Sequence, residues 1–157
     1  MMYQKTILGI IFISAFGLTA CQQAPHEHDG KSADVEYLLM PGMEDLGLPF
    51  SSAVRVDNTL YLSGNVGNIP GTLDLAPGGI QGETRQTLDN IEAVAEQFGS
   101  SLDKVVKCTV FLADIGEWAA MNEVYRTYFK NPPARSAIGT SGLALNARVE
   151  IECIATM

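Results

Sequence analysis

Charged side chains interrupt two apolar, strand-like runs near the end of the sequence. Arg135 lies in "PPARSAIG" (132–139), and Glu150 and Glu152 lie in "ARVEIECIA" (147–155). A guanidinium in such a strand must be hydrated, paired or bound to a ligand, because burying an unpaired charge is costly. Arg135 could hold a carboxylate through two parallel hydrogen bonds, and a glutamate could position or deprotonate water. The alternatives are an ion pair between Arg135 and a glutamate, and a solvated charged face.

Strand parity limits which of these charges act together. Side chains alternate between the two faces of a sheet. Arg148, Glu150 and Glu152 therefore share one face of the last strand, and Val149, Ile151 and Cys153 share the other. Strand parity does not indicate which of the two glutamates would position or deprotonate water.

The hydrophobic patterns predict the elements that position these residues. A hairpin turns at Asp57-Asn58, and helices are predicted over about 82–98 and 117–129. The predicted order is β-β-β-α-β-α-β-β, an α+β fold with one mixed sheet and both helices on one face. The run "VVKCTVFLA" (105–113) is too apolar for one side to be hydrated throughout, which favours burial against another subunit.

The N-terminal residues are typical of an export signal. Residues 1–20 contain one charge, Lys5, followed by an apolar run, and Leu18-Thr19-Ala20-Cys21 resembles a bacterial lipobox. We therefore expect a lipoprotein signal peptide over 1–20, lipidation of Cys21, a flexible tether over 21–33 and a folded domain over 34–157. The alternatives are an N-terminal anchor helix and a plain signal peptide. The expected location is the bacterial cell envelope, facing the periplasm, and Gln22 after the cysteine favours the outer membrane by resemblance to lipoprotein sorting rules.

The net charge and the positions of the histidines argue against two classes of function. The net charge of −8 and the pI of about 4.6 disfavour nucleic-acid binding. His26 and His28 lie on the tether, where they have no fixed geometry, so no metal site is predicted. Cys108 and Cys153 could pair in an exported protein, but their strand-like surroundings favour two separate buried thiols.

The segment from about Val35 to Met157 resembles the RidA family, also called YjgF/YER057c/UK114. "PARSAIGTSGLALNARVEIECIA" carries the most specific part of the resemblance. "LYLSGNVG", "QTLDNIEAV", "KCTVFLADI" and "MNEVYRTYF" follow the order of the family. The resemblance implies a chorismate mutase-like fold and a homotrimer with sites between subunits. It also implies hydrolytic deamination of reactive 2-imino and enamine acids to 2-keto acids and ammonia, without a cofactor or metal.

The resemblance also implies roles for individual residues. Arg135 matches the carboxylate-binding arginine, and Glu150 matches the glutamate that orients the attacking water. Glu152, two residues further on, does not match this catalytic position. The residues expected to bind or surround the substrate are Phe50, Ser63, Gly64, Asn122 and Ala137, with Ser63 and Gly64 ending a strand at the cleft wall.

Two positions depart from the family pattern. The family often has Tyr at the position of Phe50 and Cys at that of Ala137, so a hydroxyl and a thiol are missing here. These departures support an alternative function, in which the protein binds small carboxylates without turnover or protects other proteins as a holdase in the cell envelope. The expected partners are a small imino or keto acid, other copies of the chain and a membrane reached only through the lipid.

Overall fold

The computed structural model describes residues 32–157. The predicted signal peptide, the lipidation of Cys21 and nearly all of the predicted tether lie outside these residues. The strands are β1 (Val35–Leu38), β2 (Ala53–Val56), β3 (Thr59–Val66), β4 (Val105–Leu112), β5 (Ala134–Gly139) and β6 (Val149–Thr156), and the helices are α1 (Gly79–Gln97) and α2 (Trp118–Tyr125).

The six strands form one sheet in the order β1-β2-β3-β6-β4-β5. All neighbouring strands are antiparallel except β4 and β5, which are parallel. Helix α1 packs on β3, β6 and α2, and alternate residues of β3, β4 and β6 are buried beneath the helices. The predicted α+β architecture, with a mixed sheet and both helices on one face, is confirmed.

Local chemistry explains where the elements turn and end. Asp57 has a φ of 48°, which an aspartate tolerates in a tight turn, and it joins β2 to β3 as predicted. Gly99 has a φ of 86° and follows the last turn of α1. Helix α2 is shorter than predicted, because after Tyr125 the backbone changes to hydrogen bonds between residues three apart, from Thr127 to Val124 and from Tyr128 to Tyr125.

Cys108 and Cys153 form a disulfide, so the preference for separate thiols is wrong. The two residues are register partners on the antiparallel strands β4 and β6, and their Cα atoms lie 4.1 Å apart. Directly opposed residues of an antiparallel pair that do not exchange backbone hydrogen bonds come about this close. Strand order therefore determines the pairing, although 45 positions separate the two cysteines in sequence.

We expect this disulfide to contribute strongly to stability. Replacing both cysteines by alanine should lower the free energy of unfolding by about 2–4 kcal/mol, because the bridge restricts a long loop in the unfolded chain. Urea denaturation measures the change. Adding reductant should destabilise the native protein and leave the double variant unaffected. Thiol titration in denaturant should find two more thiols after reduction than before, and an equal number would contradict the bridge.

The sheet face opposite the helices is only partly covered. Tyr37 and Tyr61 lie on this face and are 75% and 46% exposed, and Ile138 on β5 is 49% exposed. Exposed aromatic and apolar side chains on one sheet face are typical of a surface that contacts another protein. None of the helices in residues 32–157 is long and apolar enough to cross a membrane.

Candidate functional site

Arg135 lies on β5, the edge strand of the sheet. Its register partner on β4 is Cys108, so its side chain projects on the helix-covered face. Arg135 Nη1 donates a hydrogen bond of 2.6 Å to Oδ1 of Asn122 on α2. Within residues 32–157 Arg135 forms no ion pair, so pairing with Glu150 or Glu152 in the same chain is excluded.

Two aromatic rings of α2 flank the guanidinium of Arg135. Its central carbon lies 4.6 Å from the ring centre of Tyr125 and 5.8 Å from that of Trp118. Both distances suit cation–π contact, which limits the orientations of the guanidinium plane. Sequence reasoning did not assign either ring to the site.

The Tyr125 ring is buried, and its hydroxyl has no hydrogen-bond partner in the described part of the chain. Burial raises the pKa of Tyr125 to about 12, and the neighbouring Arg135 opposes this rise. The phenol therefore stays protonated and neutral around pH 7. Its contribution at the site is a neutral aromatic surface under the guanidinium.

An open pocket of about 390 Å³ adjoins Arg135. This volume lies near the lower end of the range of about 300–1,000 Å³ that is usual for small-molecule sites. Its apolar lining residues are Tyr125, Phe129, Pro132 and Pro133, and its polar lining residues are Asn122, Arg126 and Arg135. Sequence reasoning missed Arg126, although its spacing of four from Asn122 places both on one helix face.

Glu150 lies on β6 and faces away from the helices, since its neighbours Val149 and Ile151 are buried in the core. Its carboxylate lies over the backbone of Gly64, where an added Cβ would collide with Glu150 Oε1. A Cβ at position 64 would require the Glu150 side chain to shift, so glycine permits this close approach. Glu150 forms no ion pair with any of the described residues.

Arg148, just before β6, is held away from Glu150. Its Nη1 donates to Glu117 Oε1 at 2.5 Å, and its backbone N–H donates to Oε2 of the buried Glu83 at 2.7 Å. The nearest cation in sequence therefore does not neutralise Glu150.

Ser63 and Gly64 lie inside β3 and do not end it as expected. The register between β3 and β6 shifts between Leu62 and Asn65, so these two residues form an irregularity within a strand that continues to Val66. Ser63 Oγ donates to the carbonyl of Ser51 at 2.7 Å, and so ties β3 to the loop that follows the half-exposed Phe50.

The predicted site residues thus fall into two groups. We call Asn122, Arg135 and Ala137 the arginine half-site, because Ala137 lies two positions beyond Arg135 on the same face of β5. We call Ser63, Gly64 and Glu150 the glutamate half-site, and Phe50 lies in the loop that Ser63 contacts through the carbonyl of Ser51.

The half-sites lie on opposite faces of one sheet. Arg135 aligns with the core-facing Cys108, whereas Glu150 aligns with Phe111 on the other face. Strand β4 also separates β5 from β6, which adds a spacing of about 10 Å between those strands. One chain therefore does not bring Arg135 and Glu150 to the same small ligand. Within residues 32–157 there is also no cluster of acidic, His or Cys side chains suited to a metal ion.

Comparisons with known proteins agree on one family. Residues 46–157 match the family model described as "Endoribonuclease L-PSP". The chain is 44% identical over 108 residues to the mouse 2-iminobutanoate/2-iminopropanoate deaminase, which covers 68% of this chain and 80% of the mouse protein. It is 43% identical over 108 residues to the human protein of the same name, with 68% and 79% covered.

Solved structures of similar proteins also superpose on this chain. RidA from a Psychrobacter species superposes with a TM-score of 0.67 at 34% identity, covering 81% of this chain and 99% of that one. TdcF from E. coli, crystallised with bound serine, superposes with a TM-score of 0.66 at 30% identity, covering 70% and 89%.

Proposed function

We propose, from the premise that this chain belongs to the RidA (endoribonuclease L-PSP) family, that it hydrolyses 2-imino and enamine acids to 2-keto acids and ammonia. One observation carries the proposal. The Arg135 guanidinium is held by Asn122 over the Tyr125 ring beside a pocket of ligand size, and no protein carboxylate pairs with it in the described residues. Such an arginine is ready to bind the carboxylate of an imino acid.

The proposed chemistry requires two protein groups. Arg135 binds the substrate carboxylate with the N–H groups that Asn122 does not occupy, and thereby fixes the position of the C=N carbon. Glu150 orients a water molecule and accepts its proton as the oxygen adds to that carbon. The proton then passes to the nitrogen, which gives a carbinolamine. The carbinol hydroxyl next loses its proton to Glu150, and this proton is transferred to the nitrogen as the C–N bond breaks, so that ammonia leaves and the keto acid forms. General acid–base assistance of this kind contributes about 10²–10⁴-fold.

A second copy of the chain has to complete the site. Because the half-sites face opposite sides of the sheet, we propose that the arginine half-site of one subunit meets the glutamate half-site of its neighbour. Joining two different surfaces in this way is a heterologous contact, which forms a ring when the rotation between neighbouring subunits closes. A homotrimer, as the family resemblance implies, satisfies this geometry and would cover the apolar sheet face around Tyr37 and Tyr61.

An oxidase-coupled assay tests the proposed activity. An amino-acid oxidase releases the imino acid of alanine or 2-aminobutanoate, and the purified protein should accelerate keto acid release well above the rate in buffer. A boiled sample and an equal mass of unrelated protein are the controls. No acceleration over a range of protein concentrations would refute the deaminase proposal.

The alternative, carboxylate binding without turnover, rests on the missing hydroxyl at Phe50 and the missing thiol at Ala137. Isothermal calorimetry with 2-oxobutanoate separates the two functions. Binding without catalysis supports the receptor, and neither binding nor catalysis supports a protective holdase. The family description names an endoribonuclease, but the acidic charge of the chain disfavours the phosphate contacts that RNA binding needs.

We also propose that the protein is a periplasm-facing lipoprotein anchored through Cys21, with the outer membrane favoured by Gln22. The Cys108–Cys153 disulfide supports this location, because disulfides persist in oxidising compartments such as the bacterial periplasm.

A further inference from the structure

The pocket beside Arg135 contains a second cation that the proposed mechanism does not use. Arg126 lines the same pocket as Arg135, and none of the lining residues is acidic. The chain has 18 acidic residues against 10 lysines and arginines, so two neighbouring arginines without an acid depart from its general surface. Like charges placed close together repel, and a ligand with two negative charges would relieve that repulsion.

A single residue, Asn122, accepts a hydrogen bond from each of the two arginines. Its side-chain oxygen accepts from Arg135 Nη1 at 2.6 Å, and its backbone carbonyl accepts from Arg126 Nε at 3.1 Å. The terminal nitrogens of Arg126 form no hydrogen bond or ion pair with any other residue of the described range. Arg126 is therefore anchored at Nε and retains a free end of the guanidinium for an anion.

We propose that Arg126 binds a second carboxylate, so that the preferred substrates are 2-imino dicarboxylic acids, the imines of acidic amino acids. This inference rests on the proposed deaminase function and adds the class of substrate to it. Arg135 binds the carboxylate next to the imine carbon, and Arg126 binds the carboxylate of the side chain. Water adds to the C=N carbon and ammonia leaves as before, and the second carboxylate is unchanged.

Substrate selectivity measures the role of Arg126. The full purified chain is supplied with the imines of glutamate and of alanine, each generated by a suitable oxidase. Arg126→Gln should lower kcat/KM for the glutamate imine by about tenfold or more, mainly through KM, because one hydrogen-bonded charge contact is lost. The alanine imine has no second carboxylate, so its kcat/KM should fall much less than that of the glutamate imine.

Two further variants control the comparison. Arg126→Lys keeps the charge and should retain part of the selectivity. Arg85→Gln removes the same charge from an exposed position on α1 outside the pocket and should leave both substrates unaffected. Equal hydrolysis of both imines by the native protein, or an equal loss on both substrates in Arg126→Gln, would overturn the proposal.

A binding measurement keeps the inference testable if the proposed activity fails. Calorimetry compares 2-oxoglutarate with 2-oxobutanoate, two stable keto acids that differ in the second carboxylate. Tighter binding of 2-oxoglutarate that is lost in Arg126→Gln supports the second carboxylate site even without turnover. Equal affinities, or no binding of either acid, would refute it.

Discussion

Replacing Arg135 by alanine should reduce kcat/KM for imino acid hydrolysis by about 10²–10⁴-fold. Two charge-assisted hydrogen bonds to the substrate carboxylate are lost, each worth about 1.5–3 kcal/mol, and every 1.36 kcal/mol corresponds to about tenfold. The loss should appear in both KM and kcat, because an unanchored imine also loses its alignment with the water. Oxidase-coupled steady-state kinetics measure both constants.

Control variants distinguish the effect of the positive charge of Arg135 from the effect of its hydrogen-bond geometry. Arg135→Lys keeps the positive charge but cannot form two parallel hydrogen bonds, so we expect it to recover only a small part of the activity. Arg85→Ala removes an exposed arginine of α1 that does not line the pocket, and it should behave as the native protein. Circular dichroism establishes that each variant is folded. A folded Arg135→Ala variant with native kinetics would refute the carboxylate-binding role.

Replacing Glu150 by glutamine should lower kcat by about 10²–10⁴-fold, the usual contribution of a general base. KM should change little, because Glu150 is expected to contact the water and not the substrate carboxylate. Glutamine keeps nearly the same shape over Gly64, so the packing at that close approach is preserved.

Glu152 provides a matched control on the same strand. It lies two residues beyond Glu150 on the same face of the sheet and is exposed. Glu152→Gln removes the same charge from the same surface, and its kcat should remain native. If both variants lose activity equally, the effect comes from the charge of the face and the assignment of Glu150 is wrong.

Much of the fold was predictable because it depends on local periodicity. The spacing of apolar residues located both helices, and alternation placed Glu150 and Glu152 together on the face opposite Val149 and Ile151. The end of α2 was not predictable, since Thr127 and Tyr128 are compatible with a further helical turn and only the switch in hydrogen bonding ends it.

The features that depend on strand order escaped prediction. The pairing of Cys108 with Cys153 follows from β6 lying beside β4, and a sequence separation of 45 gives no sign of that neighbourhood. For the same reason, parity did not reveal that Arg135 and Glu150 face opposite ways. Strand parity relates side chains within a single strand. Whether residues of two strands share a face depends on the register of β5 on β4 and of β4 on β6.

The opposite orientation of the half-sites has a genetic consequence. If neighbours share each site, a chain damaged in one half-site still contributes the other intact half-site to a different subunit. Two inactive variants, Arg135→Ala and Glu150→Gln, would then complement each other when they are refolded or expressed together. In randomly mixed rings of equal amounts, about a quarter of the interfaces would combine an intact arginine with an intact glutamate.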